Sequence, residues 1–368
     1  MAKYDYQKRI EQVCSRMRAR EIDALMVTPG SDMKYLMGYE HPQDDKLLLL
    51  VIFRERDSFL ICNRLHDVDR EQAPVGRILE YAYQVLPMEL LRREVGKREM
   101  PWKRAAISEG LPALFALELK EVWPGLQMVP VEELTAELRA VKDEQELEAT
   151  REACRRADQA LEICMSLGAY WLGKTEQQLE ARMMYEMGNL GLRHNAVSVC
   201  FGKNAASPHH HPDRTVICPG KPLLIDFGAD FDFYNTDMTR MFFFGEPDDR
   251  YRRLYGIVLE AQERGIEASY PGNTLQAVDR TVRDFLTEQG YGEFYIHRTS
   301  HGVGLDCHDY PKIPVEGETV IEEGMVFSVE PGLYFPGEYG IRIEDQVMIR
   351  GGKREILHSF PKNLQVIV

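Results

Sequence analysis

Apolar and polar residues alternate along this chain in two different rhythms, and the change of rhythm divides it. Tyr4 to Arg20 is helical in pattern, and Ala24 to Thr28 is an apolar run of strand length. KLLLLVIF (46–53), SFLICN (58–63) and residues 105–108 add further strand candidates. Alternating helices and short buried strands predict an α/β layer domain. A charged helical stretch follows, RAVKDEQELEATREACRRADQALEICMSL, and Lys142-Asp143-Glu144 near its start suits a solvated linker entering a helix. The expected domains are therefore 1–140 and 141–368. The second carries helical patterns near 144–167, 175–190, 249–269 and 274–289, with more strand-like segments than the first. Helices followed by β-hairpins predict an α+β domain.

Several strand candidates of the second half carry acidic residues where the pattern leads one to expect apolar or neutral ones. Leu223-Leu224-Ile225 ends at Asp226, and a second strand begins after Asp237. A hairpin with its tip at Phe231-Asp232 would set Asp226 directly opposite Asp237, where two bare carboxylates repel and a cation reverses the penalty. In MVFSVEPG, Glu330 shares a face with Val326 and Ser328, and in GIRIEDQV, Glu344 shares one with Arg342. A glutamate on the core side of a strand is costly unless paired or bound to metal. The plain alternatives are turn aspartates for the first pair and an Arg342–Glu344 ion pair for the second. His301, in HRTSHGVGLDCHD, lies beside two glycines that allow a tight bend, with His308 seven residues on. His209, His210 and His211 form a further histidine group. Four carboxylates and one imidazole make a hard, oxygen-rich ligand set, which suits a pair of divalent ions better than a thiolate zinc site.

Composition narrows the class. The net charge of −14 argues against a general nucleic-acid or anionic-membrane binder. No stretch approaches the roughly 20 apolar residues that span a bilayer, and the polar beginning MAKYDYQKRIEQ lacks the apolar core of a signal peptide. The expected location is cytoplasmic. Seven cysteines with no C-x-x-C pair indicate neither a disulfide framework nor a cysteine zinc site. Cys307, beside His308, could act as a nucleophile, but a free buried thiol is the simpler reading.

GKNAASPH, LLIDFGADFDFYNTDMTR, SHGVGLDCHD, EEGMVFSVEPGLY and YGIRIED together resemble the creatinase/aminopeptidase family of the pita-bread fold, and in particular its Xaa-Pro, prolidase-like metallopeptidases. ALMVTPGSDMKYLMGY is similar, more weakly, to that family's N-terminal domain. The resemblance implies an α/β N-terminal domain for substrate gating and dimerisation, followed by an α+β pita-bread catalytic domain. It implies that Asp226 holds a first metal, Asp237 and Glu344 bridge two metals, and His301 and Glu330 complete the second. It implies that His209 and His308 line the substrate site, that Arg342 holds Glu344, and that Tyr334 lies close by. Glu330 would act as general acid and base, with His308 near the scissile carbonyl oxygen. Manganese suits such a site, and cobalt, zinc and iron also fit.

The implied reaction is cleavage between an N-terminal residue and proline, in a small peptide with proline at its second position. An X–Pro bond offers no N–H and populates the cis isomer, so an ordinary peptidase cannot read it. A dipeptidase is the first expectation, with Lys312 as a candidate clamp for a C-terminal carboxylate. An Xaa-Pro aminopeptidase acting on longer peptides is the alternative, and a non-catalytic binding module on the same fold is a further one. The long N-terminal part disfavours a methionine aminopeptidase, and the full ligand set disfavours a metal-free creatinase-like enzyme. A homodimer is expected from the resemblance. The hairpin tip, FDFYN, departs from the family habit of a glycine there.

Overall fold

A computed structural model describes residues 4–367, apart from 72, 83, 99–101 and 314–317. The chain divides into two compact units, Met1–Arg139 and Ala140–Val368. Among the described residues no helix is long and apolar enough to cross a membrane.

In the first unit, strands β1 (Ala24–Val27), β2 (Leu49–Phe53), β3 (Ser58–Asn63), β4 (Arg77–Tyr81), β5 (Arg104–Ile107) and β6 (Gln127–Pro130) form one mixed sheet in the order β4-β3-β2-β1-β5-β6. Helices α1 (Tyr6–Ala19), α2 (Ser31–Met37), α3 (Pro87–Gly96), α4 (Ala113–Val122) and α5 (Glu132–Ala140) are interleaved with it. Every residue of β1 and β2 is buried. Unbroken apolar runs of this kind belong to central strands covered on both faces. Alternate residues of β1, Ala24 and Met26, join Leu91, Phe115 and Leu119 in one core. The α/β layer expected from the alternating pattern is present.

The second unit opens with α6 (Glu144–Met165), begun by a capping box in which the Asp143 side chain accepts from Glu146 N–H and Glu146 reciprocates. α7 (Glu176–Asn189) follows, also with a capping box, then α8 (Asp249–Ala268) and α9 (Leu275–Glu288). These are the four long helices that the pattern predicts. The main sheet contains β7 (Arg193–Phe201), β8 (Lys221–Phe231), β9 (Tyr234–Phe244) and the short final strand (Gln365–Ile367) pairing parallel to β9. β10 (Val326–Val329), β11 (Gly332–Phe335), β12 (Tyr339–Arg342), β13 (Asp345–Arg350) and β14 (Lys353–Ile356) form two smaller sheets, β10-β13-β14 and β11-β12.

Strand parity sets the layers. On β8, Leu223, Ile225, Phe227 and Ala229 enter a core with Leu161, Leu179 and Met183 from α6 and α7. Leu224 of β8 and Met241 and Phe243 of β9 enter a second core, with Val258 of α8 and Phe285 of α9. The sheet is thus covered on both faces, and its second face carries the polar residues treated below.

Close approach fixes β12. A Cβ on Gly340 would fall on the carbonyl oxygen of Ala205. Gly340→Ala should therefore lower the melting midpoint, costing about 1–3 kcal/mol as overpacking does. A Cβ added to Gly256, in α8, would meet nothing within 4 Å, and Gly256→Ala should stabilise by about 0.5–1 kcal/mol. Parallel thermal melts compare the two, and equal behaviour would show that β12 moves aside freely.

Candidate metal centre

The hairpin of β8 and β9 brings the first two carboxylates together, but not in the register expected. Its tip lies one residue further on, at Asp232 and Phe233, with φ of 55° and 75°. Two central residues at positive φ make a tight turn whose twist matches that of the strands. Asp226 consequently pairs with Thr239, and Asp237 with Gly228, rather than with each other. The two aspartates are diagonal neighbours on one face, since each register step of two preserves the face. The turn forms without glycine, and its position follows from the two residues at positive φ, which the apolar pattern does not report.

Asp226, Asp237 and Glu344 each offer an oxygen, and these three atoms lie within 4.8 Å of one another. The same holds for His301, Glu330 and Glu344, and for Asp237, His301 and His308. All five expected ligand positions therefore meet in one overlapping cluster. Asp237 is 7 % exposed and Glu344 2 %. Glu344 lies between β12 and β13. Its backbone is held by Arg240, which donates to the Glu344 carbonyl and to Asp345 Oδ1. Its Oε2 accepts from Thr239 Oγ1 at 2.8 Å. Its Oε1 is buried with no hydrogen-bond partner. A buried carboxylate oxygen left in that state is costly, and a cation is the partner that suits it.

Electrostatics agree. Burial, then the charge of Asp226, pushes the Asp237 carboxyl up to about 7. Burial, then Asp237, Glu330 and Asp226, raises Glu344 well above the usual range. Burial would also raise Glu330, but the hydrogen bond and charge of His301 hold it below its ordinary value. His301 is pushed up to about 9: burial opposes its charge, and Glu330 and Asp237 more than offset that. The His301 ring is oriented by Nδ1 on the Gly302 carbonyl at 3.1 Å, and its backbone N–H donates to Ser328 Oγ at 3.1 Å. Nε2 then faces Glu330 Oε1 at 3.3 Å and Asp237 Oδ2 at 3.5 Å. The other nitrogen of a ligating histidine is held in this way when the ring must keep one orientation.

Arg342 departs from the implied arrangement. It is 3 % exposed and donates through Nη2 to Asp226 Oδ2 at 2.5 Å, not to Glu344. Nε donates to Thr239 Oγ1 at 3.1 Å, and only through that hydroxyl does it reach Glu344. Nη1 donates to Tyr334 Oη at 2.7 Å, which also meets His297 Nε2 at 2.8 Å. The alternative of a plain Arg342–Glu344 ion pair is not realised.

The cluster forms one wall of a cavity of about 870 Å³. His209, His297, His308, Tyr334 and Lys312 line it, with Pro208, Ile296, Pro311 and Ile313 as apolar surface. His308 stacks on His301 with centroids 3.9 Å apart. Of the three adjacent histidines, His209 lines the cavity, whereas His210 Nε2 lies 2.9 Å from Glu176 Oε2. Cys307 is half-buried, and its thiol donates to Asp237 Oδ2 at 2.9 Å. Burial raises that thiol well above its ordinary value, which disfavours a nucleophilic thiolate. Sequence reasoning missed His297 and Thr239. His297 precedes His301 by four residues, the one local signal it had.

A further cluster, His41, Asp44 and His66, lies in the first unit. His66 Nδ1 accepts from Asn63 N–H at 3.1 Å, so its Nε2 carries the proton and offers no lone pair to a cation.

Comparison with known proteins agrees with this geometry. The sequence model of metallopeptidase family M24 matches residues 148–351, and that of the creatinase/prolidase N-terminal domain matches residues 9–141. The chain is 32% identical over 352 residues to an Xaa-Pro dipeptidase of Lactobacillus helveticus, covering 94% of this chain and 95% of that one. Its structure is similar to a prolidase from Thermococcus sibiricus, with a TM-score of 0.93, 28% identity and 99% of each chain covered. It is also similar to an X-Pro aminopeptidase from Thermotoga maritima, with a TM-score of 0.86, 27% identity, and 97% and 99% of the two chains covered.

The crowding of charge has a thermodynamic consequence. Manganese at about a hundred times its dissociation constant should stabilise the protein by about 2.7 kcal/mol for each site filled. Asp237→Asn should melt higher than the wild type in chelator, because one repelling charge is gone, and should gain less from manganese. Melting curves with elemental analysis test this. A variant that melts lower in chelator and gains as much from metal would show that Asp237 is neither repelled nor a ligand.

Proposed function

The chain belongs to metallopeptidase family M24, and we propose that it is a dinuclear Xaa-Pro dipeptidase. The observation that carries this reading is the meeting of Asp226, Asp237, His301, Glu330 and Glu344 on one wall of a cavity whose other walls are imidazole, phenol and apolar surface. Asp226, Asp237 and Glu344 would hold one ion, and Asp237, His301, Glu330 and Glu344 the other. Manganese suits the oxygen-rich set, with cobalt, zinc and iron as alternatives. Bound ions would supply Lewis acidity toward the scissile carbonyl and acidify a water to near neutrality.

The chain's own residues do the rest. Glu330, kept ionised by His301, takes a proton from the attacking water and passes it to the prolyl nitrogen. His308, on the same cavity, donates toward the carbonyl oxygen as it gains charge. Burial and His301 lower His308, so it serves as a neutral donor; burial also lowers His297, whose one N–H is given to the Arg298 carbonyl while its Nε2 meets the Tyr334 hydroxyl. Arg342 keeps Asp226 and Tyr334 in place and steadies Glu344 through Thr239. Pro208, Ile296, Pro311 and Ile313 offer the apolar surface that a proline ring needs. Lys312 supplies a positive charge on the cavity lining for a free carboxylate.

The N-terminal unit we assign to gating and to pairing in a homodimer, which light scattering tests. A cytoplasmic location fits the seven cysteines, all of them unpaired. The likeness to an X-Pro aminopeptidase favours one alternative, action on longer peptides.

With manganese, Ala-Pro should be cleaved faster than Ala-Pro-Ala, and the opposite order would overturn the dipeptidase assignment in favour of the aminopeptidase. Purified protein that carries no metal and cleaves neither peptide with any of the four metals would point instead to a binding module. Glu330→Gln should lose at least about a hundredfold in kcat, the scale of general acid–base catalysis, while keeping much of its metal. Near-normal turnover would remove Glu330 from proton transfer.

A further inference from the structure

Glu176 stands at the start of α7 and is 0 % exposed. A helix N-terminus favours a carboxylate, but this one also accepts four hydrogen bonds from a single neighbouring segment. Oε1 takes Phe201 N–H at 2.5 Å and Asn204 Nδ2 at 3.0 Å. Oε2 takes Asp213 N–H at 3.0 Å and faces His210 Nε2 at 2.9 Å. A carboxylate has about four lone-pair sites, so these donors saturate it. Although Glu176, His210 and Asp213 lie at distances that could suit a cation, the carboxylate is already occupied by the chain itself.

The four bonds grip the segment on both sides of the histidine triplet. Two come from residues before it, one from its middle member and one from beyond it. His210 is thereby turned toward Glu176, and its predecessor His209 lines the catalytic cavity. We propose that Glu176 is a positioning residue for the peptidase reaction: it clamps residues 201–213 so that His209, and not His210, is presented to the substrate. The inference rests on the reading of the cavity as a peptidase site, and it adds a residue that the cavity lining does not contain.

Glu176→Gln tests it. The amide keeps one oxygen for Phe201 and Asn204 but turns an N–H₂ toward the Asp213 N–H, so that two donors face each other. We expect kcat/KM for Ala-Pro to fall about tenfold or more, with metal content unchanged, and amides of residues 207–213 to exchange faster in the metal-free protein. The decisive arm is a double-mutant cycle with His209→Ala. If Glu176 acts through His209, most of the Glu176→Gln loss disappears in the His209→Ala background, whereas independent effects multiply. A purely structural role would give multiplying losses and would overturn the proposal, as would unchanged exchange at 207–213. His210→Ala repeats the cycle should Glu176→Gln fold poorly, since it leaves three of the four donors. If the wild type cleaves no Xaa-Pro peptide with any metal, the functional reading fails, and the exchange measurement still decides whether Glu176 clamps the segment.

Discussion

Repulsion among buried carboxylates is the constraint around which the second unit is organised. Asp226, Asp237, Glu330 and Glu344 are drawn within reach of one another in a site where burial already penalises charge. Arg342 offsets part of this through Asp226, and His301 through Glu330. Arg240, also nearly fully buried, is committed to Asp345. Two cationic groups against four acids leave a surplus of negative charge. The balance is unfavourable unless protons or divalent ions enter it, which is why a fold that holds such a cluster reads as a metal-binding one before any activity is measured. Apolar layers on both faces of the main sheet supply the stability that lets the strands tolerate that surplus.

Much of this was legible because strands alternate. Parity alone places Glu330 with Ser328, and a two-residue hairpin tip at either position places Asp226 and Asp237 on one face. The long helices were legible for a related reason. Their caps are local, as Asp143 with Glu146 shows, and the 144–167 pattern ends within two residues of the observed helix. The hairpin register was not legible. It depends on which two residues take positive φ, and Phe233 at +75° is a residue that no turn rule favours. Shifting the tip by one residue changed the partner of each aspartate but not its face, so the cluster survived an error in its pairing.

Other parts were illegible because their meaning lies in distant partners. Thr239 is an ordinary strand threonine until Glu344, 105 positions away, and Arg342 are placed against it. His297 gains its role only when Tyr334, 37 positions on, meets its Nε2. Glu176 looks like any acidic residue in the first turn of a helix, where the dipole explains it without remainder. Only the fold reveals that four donors from residues 201–213 converge on it.

These hidden residues share a logic. The acidic wall is built on the paired interior of the β8–β9 hairpin, on the end of β10 and on the short connection between β12 and β13, where backbone pairing fixes side chains closely. The imidazole wall is built on irregular segments: His209 on the 207–213 loop, His297 and His301 ahead of β10, and His308 beyond them. Loops do not hold a side chain to the tolerance that chemistry needs unless something else holds the loop. Ser328 does this for His301 by donating and accepting across the β10 backbone, and the Tyr334 hydroxyl does it for His297. His308 is packed flat against His301. By this reasoning His209 also requires an anchor, and the buried Glu176 carboxylate, bonded to the segment on both sides of it, offers one. The acidic wall is thus positioned by the sheet, and the imidazole wall by hydrogen bonds that reach from the sheet and from α7 into the loops.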